Sequence, residues 1–469
     1  MASGQRPRSY RIAWMWLFTA WMFCYIDRTI MGPVVSWMID HQVSFISGAP
    51  MPHALGGIIG GMFFAGYVLT QFPAGYLGDR YGSKAMVVIS TVWAGIATLI
   101  TGLTRSLNAF VMARVITGLG QGAYYSNDRA LVAAVSPKEK KGLGMGVVFV
   151  GLSAGLTVGT IATPYIIDWG ADIWGPEQAW SLPFLIFSLP TVLVGLSLYR
   201  FIRTGKAQEY RQALWRLLAY AAVFLVVIMT TYLLAVEWGW TNLAQAGMVI
   251  LVTLALVAVI YWVLGVRSAP VLKNRNLLLM YLSAVPIPYT LWFFGYWALL
   301  VVSEVSEMGL SGVAVYAGLF GVANGIGYPL GGRLCDRSAV AGKGRRRTYL
   351  FLSLAVAVLI LLLGVQVSSG GRDVMILGAL MFAIGVPFAA MQTVHMTLTS
   401  DLAPPEMTGQ AFGMWNLTAQ IGAVLSPVVS GTLRDLTGDW VLAIVLTGGM
   451  VLASCLLVLL VREPKIHTA

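Results

Sequence analysis

Apolar residues fill windows of about twenty positions again and again along this chain, and each window closes on a short polar or basic segment. At about 1.5 Å of rise per residue, such a window crosses the hydrocarbon core of a bilayer, about 30 Å. Fourteen windows are legible: roughly 13–37, 54–78, 85–104, 107–134, 143–167, 181–203, 217–236, 246–266, 277–302, 313–334, 348–368, 374–399, 408–433 and 441–461. The pattern predicts an all-α polytopic membrane protein.

The segments between windows differ in kind. Alternate ones are basic: Arg80 and Lys84; Lys138, Lys140 and Lys141; Arg200, Arg203, Lys206, Arg211 and Arg216; Arg267, Lys273 and Arg275; then "GKGRRR". The others carry acids: Asp168, Asp172 and Glu177; Glu237; Glu304 and Glu307, with Arg105, Arg372 and Arg434 as isolated exceptions. Lys and Arg are retained on the cytoplasmic side, so both termini are expected inside.

Composition agrees with that reading. Residues are 58% hydrophobic and 10% charged, against about 25% charged in soluble domains. The net charge of +11 does not imply nucleic acid, because the cations alternate between loops and form no continuous basic face. Cys24, Cys335 and Cys455 are too scattered for a disulfide framework or a metal site. Met1 to Ile12 is basic and no small-residue cleavage site follows, which reads as a cytoplasmic tail leading into a retained helix. No P-loop, G-x-S-x-G or H-E-x-x-H occurs, so neither an enzyme, a cofactor nor ATP-driven transport is implied.

The chain also repeats itself. "GYLGDRYGSK", Gly75 to Lys84, follows the second window, and "GRLCDR", Gly332 to Arg337, follows the tenth. Both read G-x-L-x-D-R. Two six-span halves would put the second copy after span eight, so two extra spans separate the halves. The organisation expected is 1–203 as an N-terminal bundle, 204–270 as a linker with two inserted spans, and 271–469 as a C-terminal bundle.

Several windows carry polar groups that lipid disfavours. Asp27 and Arg28 lie roughly 21 Å into the first span, and Arg114 lies roughly 10 Å from the outer end of the fourth, which runs the other way. All three therefore fall near mid-membrane, where each charge costs about 2.5–3.5 kcal/mol. Asp27 with one arginine is a natural pair, and the remaining positive charge suits an anion. Gly118, Gly120 and Gly122 let a neighbouring backbone approach. Asp128 and Arg129 reach the cytoplasmic interface as a charge pair or a gate, and His395 reads as a packed residue. In the aromatic "YTLWFFGYWALL", Trp292 is taken to line the solute path, and Pro286 with Pro288 marks a bend. Asn416 and Gln420, one turn apart, present two amides on one helix face.

The paired G-x-L-x-D-R turns resemble the loop signature of the major facilitator superfamily. That resemblance implies two six-helix bundles rocking about a central solute site. It also implies a latch in which Asp79 or Asp336 sits against a helix N-terminus while Arg80 or Arg337 pairs with an acid. "YIDRTIM", "GYVLTQFPAGYLGDRYG", "ARVITGLGQG" and "GMWNLTAQIGAVLSPVVSG" are more specifically similar to the anion:cation symporters. This likeness implies Tyr25, Arg28, Tyr67 and Asn416 as solute ligands, with Gln420 beside them, and an Asp27–Arg114 pair coupling a proton to an organic anion. It also implies a multi-pass protein of the plasma membrane, in bacteria the inner membrane, acting as a monomer. Two features depart from that branch. Gln121 stands where its members usually carry a glutamate, and an amide does not titrate, so proton coupling through that position is lost. Symport with one fewer proton through Asp27, uniport and exchange stay open, and Gln121 is placed among the solute ligands. The span count exceeds the usual twelve. Fourteen spans are the habit of certain drug:proton antiporters, but span five, "GLSAGLTVGTIATPYI", lacks their Gly-Pro. Export of lipophilic compounds and a non-transporting sensor remain the alternatives.

Overall fold

A computed structural model describes residues 9–137, 140–204, 207–265, 269–340, 344–404 and 407–463. The tail through Arg8, and Lys138, Lys206, Arg267, Gly342 and Lys343 among the predicted inside residues, lie outside the described residues. Among the described residues every regular element is a helix. Helices overlap all fourteen apolar windows, and eleven segments are long and apolar enough to cross a membrane. The windows left out are the first, fourth and thirteenth. Those are the ones that hold Asp27 and Arg28, Arg114 and Gln121, and Asn416 and Gln420. Polar residues lower the apolar character of the first and thirteenth, and the fourth is broken after Gln121 into helices of 15 and 11 residues.

The chain packs as two compact units. One comprises Met1–Val34 and Met62–Gly239, the other Val35–Gly61 and Trp240–Ala469. The first unit begins with α1 (Ser9–Thr29), which continues after a one-residue break into α2 (Met31–Asp40). Pro33 explains the break, since it has no N–H to donate to the carbonyl four residues earlier, at Thr29. Then come α3 (Pro52–Tyr81), α4 (Ser83–Leu103), α5 (Leu107–Gln121), α6 (Tyr125–Val135), α7 (Lys141–Trp174), α8 (Pro176–Ala179), α9 (Leu182–Phe201) and α10 (Tyr210–Glu237). Helix α1 packs on α7 and α9, and α4 on α5 and α9. Helix α10 lies on α4 and α5. It joins them through Ala213 and Leu217, which are buried with Ala85, Met86 and Ala123.

The second unit holds α11 (Asn242–Gly265), α12 (Ala269–Leu272), α13 (Arg275–Ala284), α14 (Pro286–Ser306), α15 (Leu310–Val340), α16 (Arg345–Ser368), α17 (Val374–Leu402), α18 (Thr408–Thr437) and α19 (Val441–Leu459). The tightest pairs are α15 with α17 and α16 with α19, followed by α14 with α18 and α16 with α17, and α11 packs on α18. The bend expected at Pro286 and Pro288 is the junction of α13 and α14, where two missing N–H groups end one helix and start the next. Val35–Asp40 of α2 also belong here, as do the first ten residues of α3. Their paired glycines lay backbone against backbone: a Cβ on Gly57 would stand 2.9 Å from the Cα of Val428.

Candidate functional site

The polar residues of the first unit converge. Asp27 and Arg28 end α1 and are 1% and 3% exposed; Arg114, on α5, is 1% exposed. Three charges this deep need partners, and each has some. Arg114 Nη1 stands 3.7 Å from Asp27 Oδ1. Thr98, on α4, donates its hydroxyl to the same oxygen, and the Gln121 amide donates to Asp27 Oδ2. The other end of that amide accepts from Arg28 Nε at 2.7 Å. Gln121 thus bridges the acid and the second arginine, and it is fully buried. A protonated carboxylic acid would offer the same donor and acceptor; the amide offers both at every pH.

Aromatic rings surround the guanidinium groups. Arg28 Cζ lies 4.8 Å from the Tyr25 ring centroid and 4.4 Å from that of Tyr67, with Trp21 and Phe63 each at 5.9 Å. Arg114 Cζ lies 4.7 Å from Phe63. Desolvated cation–π contacts are worth about 2 kcal/mol and leave the N–H edge free to bind. Arg28 Nη2 is buried and has no acceptor among the described residues. Phe63 and Tyr67 reach the cluster because α3 and α5 touch backbone to backbone. A Cβ on Gly118 would lie 3.0 Å from the Tyr67 amide nitrogen, and one on Gly122 would meet the Tyr67 carbonyl. Gly120 instead faces the Trp93 indole. The helices that carry the charges also break beside them, α1 two residues after Arg28 and α5 straight after Gln121. Broken helices at a buried polar cluster are the way membrane transporters expose backbone to a solute.

Tyr25, Asp27, Arg28, Tyr67, Arg114 and Gln121 are therefore one cluster within one unit. Trp292, Asn416 and Gln420 lie in the other unit, on α14 and α18. Trp292 is buried, and Gln420 Nε2 donates to Asn416 Oδ1 at 3.3 Å across one helical turn. Gln420 Oε1 is buried with no donor among the described residues. His395 is a packed residue: Trp415 Nε1 donates to its Nδ1 at 3.0 Å, so that nitrogen carries no proton, and its Nε2 meets Ser283 Oγ at 2.9 Å. Asp128 and Arg129 pair with each other, and Trp21 Nε1 donates to the same Asp128 oxygen at 2.7 Å.

The turn residues are placed differently. Asp79 and Arg80 fall in the last turn of α3 and are exposed; Arg80 donates to Tyr76 Oη at 3.3 Å. Asp336 and Arg337 are exposed on α15. None of the four makes an ion pair among the described residues. At the equivalent end of the second unit the ion pair is Arg345 with Asp401. Beside it the Glu463 carboxylate accepts the Arg345 and Arg346 backbone N–H groups.

Sequence reasoning missed Thr98 and Phe63. Phe63 stands one helical turn before Tyr67, on the same face, which is a usable signal. Thr98 is harder to see, because a threonine in an apolar helix ordinarily bonds its own preceding turn, as this one also does to Ala94 O at 2.7 Å.

The whole length of this helical, two-unit arrangement is matched by one protein family model, "Major Facilitator Superfamily", over residues 17–317 and 305–469. The chain belongs to the Major Facilitator Superfamily. Among relatives of this superfamily member, "Probable anion transporter 6, chloroplastic" of Arabidopsis thaliana is 27% identical over 150 residues, 32% of this chain and 28% of the relative. "Uncharacterized MFS-type transporter YfiU" of Bacillus subtilis (strain 168) is 26% identical over 374 residues, 76% of this chain and 68% of the relative. The crystal structure of a POT family transporter in complex with a thioalcohol conjugated peptide superposes with a TM-score of 0.74 at 15% identity, covering 97% of this chain and 96% of that one. At that identity the likeness speaks for the fold. This superfamily chain is a multi-pass membrane protein of transporter type.

Proposed function

We propose that this superfamily member is a secondary active transporter that moves a small organic anion, a carboxylate, by alternating access with a proton as coupling ion. One observation carries the reading: a buried cluster holds one carboxylate against two guanidinium groups, and Arg28 Nη2 points an unused donor among aromatic rings. The uncompensated charge is positive, so the missing partner is an anion, and a carboxylate fits the planar fork of an arginine. The relative named as an anion transporter supports the same class. In this reading Arg28, flanked by Tyr25 and Tyr67, takes the anionic group, and Gln121 holds Arg28 at its working angle. Asn416, Gln420 and Trp292 are further solute ligands in this reading. Asp27 is the group that takes up the proton, with Arg114 as its partner when charged. Asp79, Arg80, Asp336 and Arg337 act in another stage of the cycle, as a cytoplasmic latch. We assign fourteen spans, termini inside, a plasma-membrane location and a monomer.

The test is a thermal-shift screen of the purified protein against sugar acids, mono- and dicarboxylates, amino acids and lipophilic cations, with Arg28→Ala beside the wild type. Stabilisation by one anion class that disappears in Arg28→Ala supports the reading. Stabilisation by lipophilic cations that ignores Arg28 replaces it with drug export. With the solute known, Asp27→Asn should abolish accumulation against a gradient while exchange continues; accumulation that survives removes Asp27 as the coupling group.

A further inference from the structure

The second unit contains a partly buried charge cluster that the anion reading does not use. His53, the second residue of α3, is 7% exposed. Its Nδ1 lies 2.6 Å from Asp435 Oδ1 on α18, and its Nε2 lies 3.3 Å from Glu304 Oε1 on α14. A neutral imidazole has one N–H and one lone pair. One of these two contacts would then set a lone pair against a carboxylate oxygen. Only the imidazolium donates to both.

The neighbours leave no other cation to fill that role. Glu304 Oε2 already accepts from Arg434 Nε and Trp440 Nε1, each at 2.9 Å. Asp435 Oδ2 accepts the Ala54 backbone N–H at 2.7 Å and so caps the start of α3. Of the other ionisable groups nearby, Glu307 pairs with Arg372, and Asp439 accepts the Val441 N–H. Two carboxylates and one arginine sum to one negative charge, and a proton on His53 brings the cluster to zero. Indole rings close it off, with centroids 6.2 Å (Trp297) and 5.8 Å (Trp440) from the imidazole. The same end of α3 is fastened by Tyr296 Oη, which donates to Gly56 O at 2.6 Å, and by Gly431, where a Cβ would stand 2.8 Å from the His53 carbonyl carbon.

We propose that His53, with Asp435 and Glu304, is a proton-binding site separate from Asp27, and that its proton fastens the Pro52–Gly61 end of α3 to α14 and α18. Loss of the proton leaves a net negative, partly buried cluster with a lone pair facing an oxygen, and that end of the helix lets go. The alternating basic loops assign this end to the outer face, so the site reads the pH outside the cell. The inference stands whether or not the solute is an anion.

The experiment measures distances by double electron–electron resonance in the full chain in nanodiscs. Cys24, Cys335 and Cys455 are replaced by alanine, and spin labels are placed at Ser47→Cys and Ser369→Cys, both exposed and both in the second unit. The range runs from about pH 5.5 to about pH 9, on both sides of an ordinary imidazole pKa of about 6.5. The wild type should show one distance at acid pH and a growing second, longer distance as pH rises. His53→Lys, a permanent cation, should hold the first distance throughout, and His53→Gln should show the second at every pH. Glu304→Gln should move the wild-type transition to lower pH. A wild-type distribution that does not change across the range overturns the proposal. So does a His53→Gln profile that follows the wild type. If His53→Gln does not fold, a pH transition that persists in His53→Lys overturns it equally.

Discussion

Replacing Gln121 with methionine keeps the side chain's length and removes only its polarity. In the structure the amide accepts from Arg28 Nε at 2.7 Å and donates to Asp27. Each bond has a charged partner, a kind worth about 1.5–3 kcal/mol in soluble proteins. Side-chain hydrogen bonds inside membrane proteins measure lower, on average about 0.6 and at most about 1.7 kcal/mol, because the inserted unfolded chain also finds partners. Two bonds at the upper membrane value and two at the lower soluble value agree on about 3 kcal/mol, close to a hundredfold in the folding constant. The assay is reversible unfolding by denaturing detergent in mixed micelles. In an Asp27→Asn background one of the two bonds loses its charged acceptor, so Gln121→Met should cost about 1 kcal/mol less there. A loss under about 0.5 kcal/mol in the wild-type background, or full additivity of the two substitutions, would show that the amide does not join Asp27 to Arg28.

Other consequences are smaller or of a different kind. Thr98→Val preserves shape and removes one donor to Asp27; unfolding should register a loss of about 1.5 kcal/mol. Gly118→Ala sets a methyl against the α3 backbone and should cost about 1–3 kcal/mol, with a weaker thermal shift from the anion that stabilises the wild type. Arg372→Ala breaks an ion pair whose partners are 65% and 62% exposed, and stability should stay within about 0.5 kcal/mol. Arg434→Ala exposes the contrast, since it strips a 2.9 Å donor from a Glu304 carboxylate that is 28% exposed; the same assay should register a larger loss than Arg372→Ala, and an equal one would argue against the packed cluster.

What the sequence discloses follows from physical contrast. Asp27, Arg28 and Arg114 stand out because charge in an apolar window is costly, and their convergence follows from depth alone. The glycines of α5 announce a close helix contact without naming the helix; only the fold shows that α3 fills it and brings Phe63 and Tyr67 to the arginines. Thr98 is silent, since its local bond to Ala94 masks the tertiary one. Pro286 and Pro288 declare their own bend, whereas the break after Thr29 lies four residues ahead of its cause at Pro33 and is easily overlooked. The His53 cluster joins residues 382 positions apart, and nothing in either local sequence points to the other. Two cations that break the loop-charge pattern, Arg372 and Arg434, prove to be paired with Glu307 and Glu304.

Helix α3 runs unbroken for 30 residues yet changes allegiance between Gly61 and Met62. Treated as a rod pivoting there, its Pro52–Gly61 arm is about 15 Å long. A tilt of about 2° then displaces His53 by roughly 0.5 Å, and one of about 10° by roughly 2.5 Å, against a hydrogen-bond range that ends at about 3.2 Å. The 2.6 Å contact to Asp435 has slack within that range and the 3.3 Å contact to Glu304 has none. Leverage of this kind orders the losses: the Glu304 contact goes at the first outward tilt, and the Asp435 contact holds until the tilt is larger. Phe63, about 3 Å beyond the pivot on the longer, Met62–Tyr81 side, scarcely moves. The ring that braces Arg114 is thereby mechanically insulated from events at the other end of its own helix.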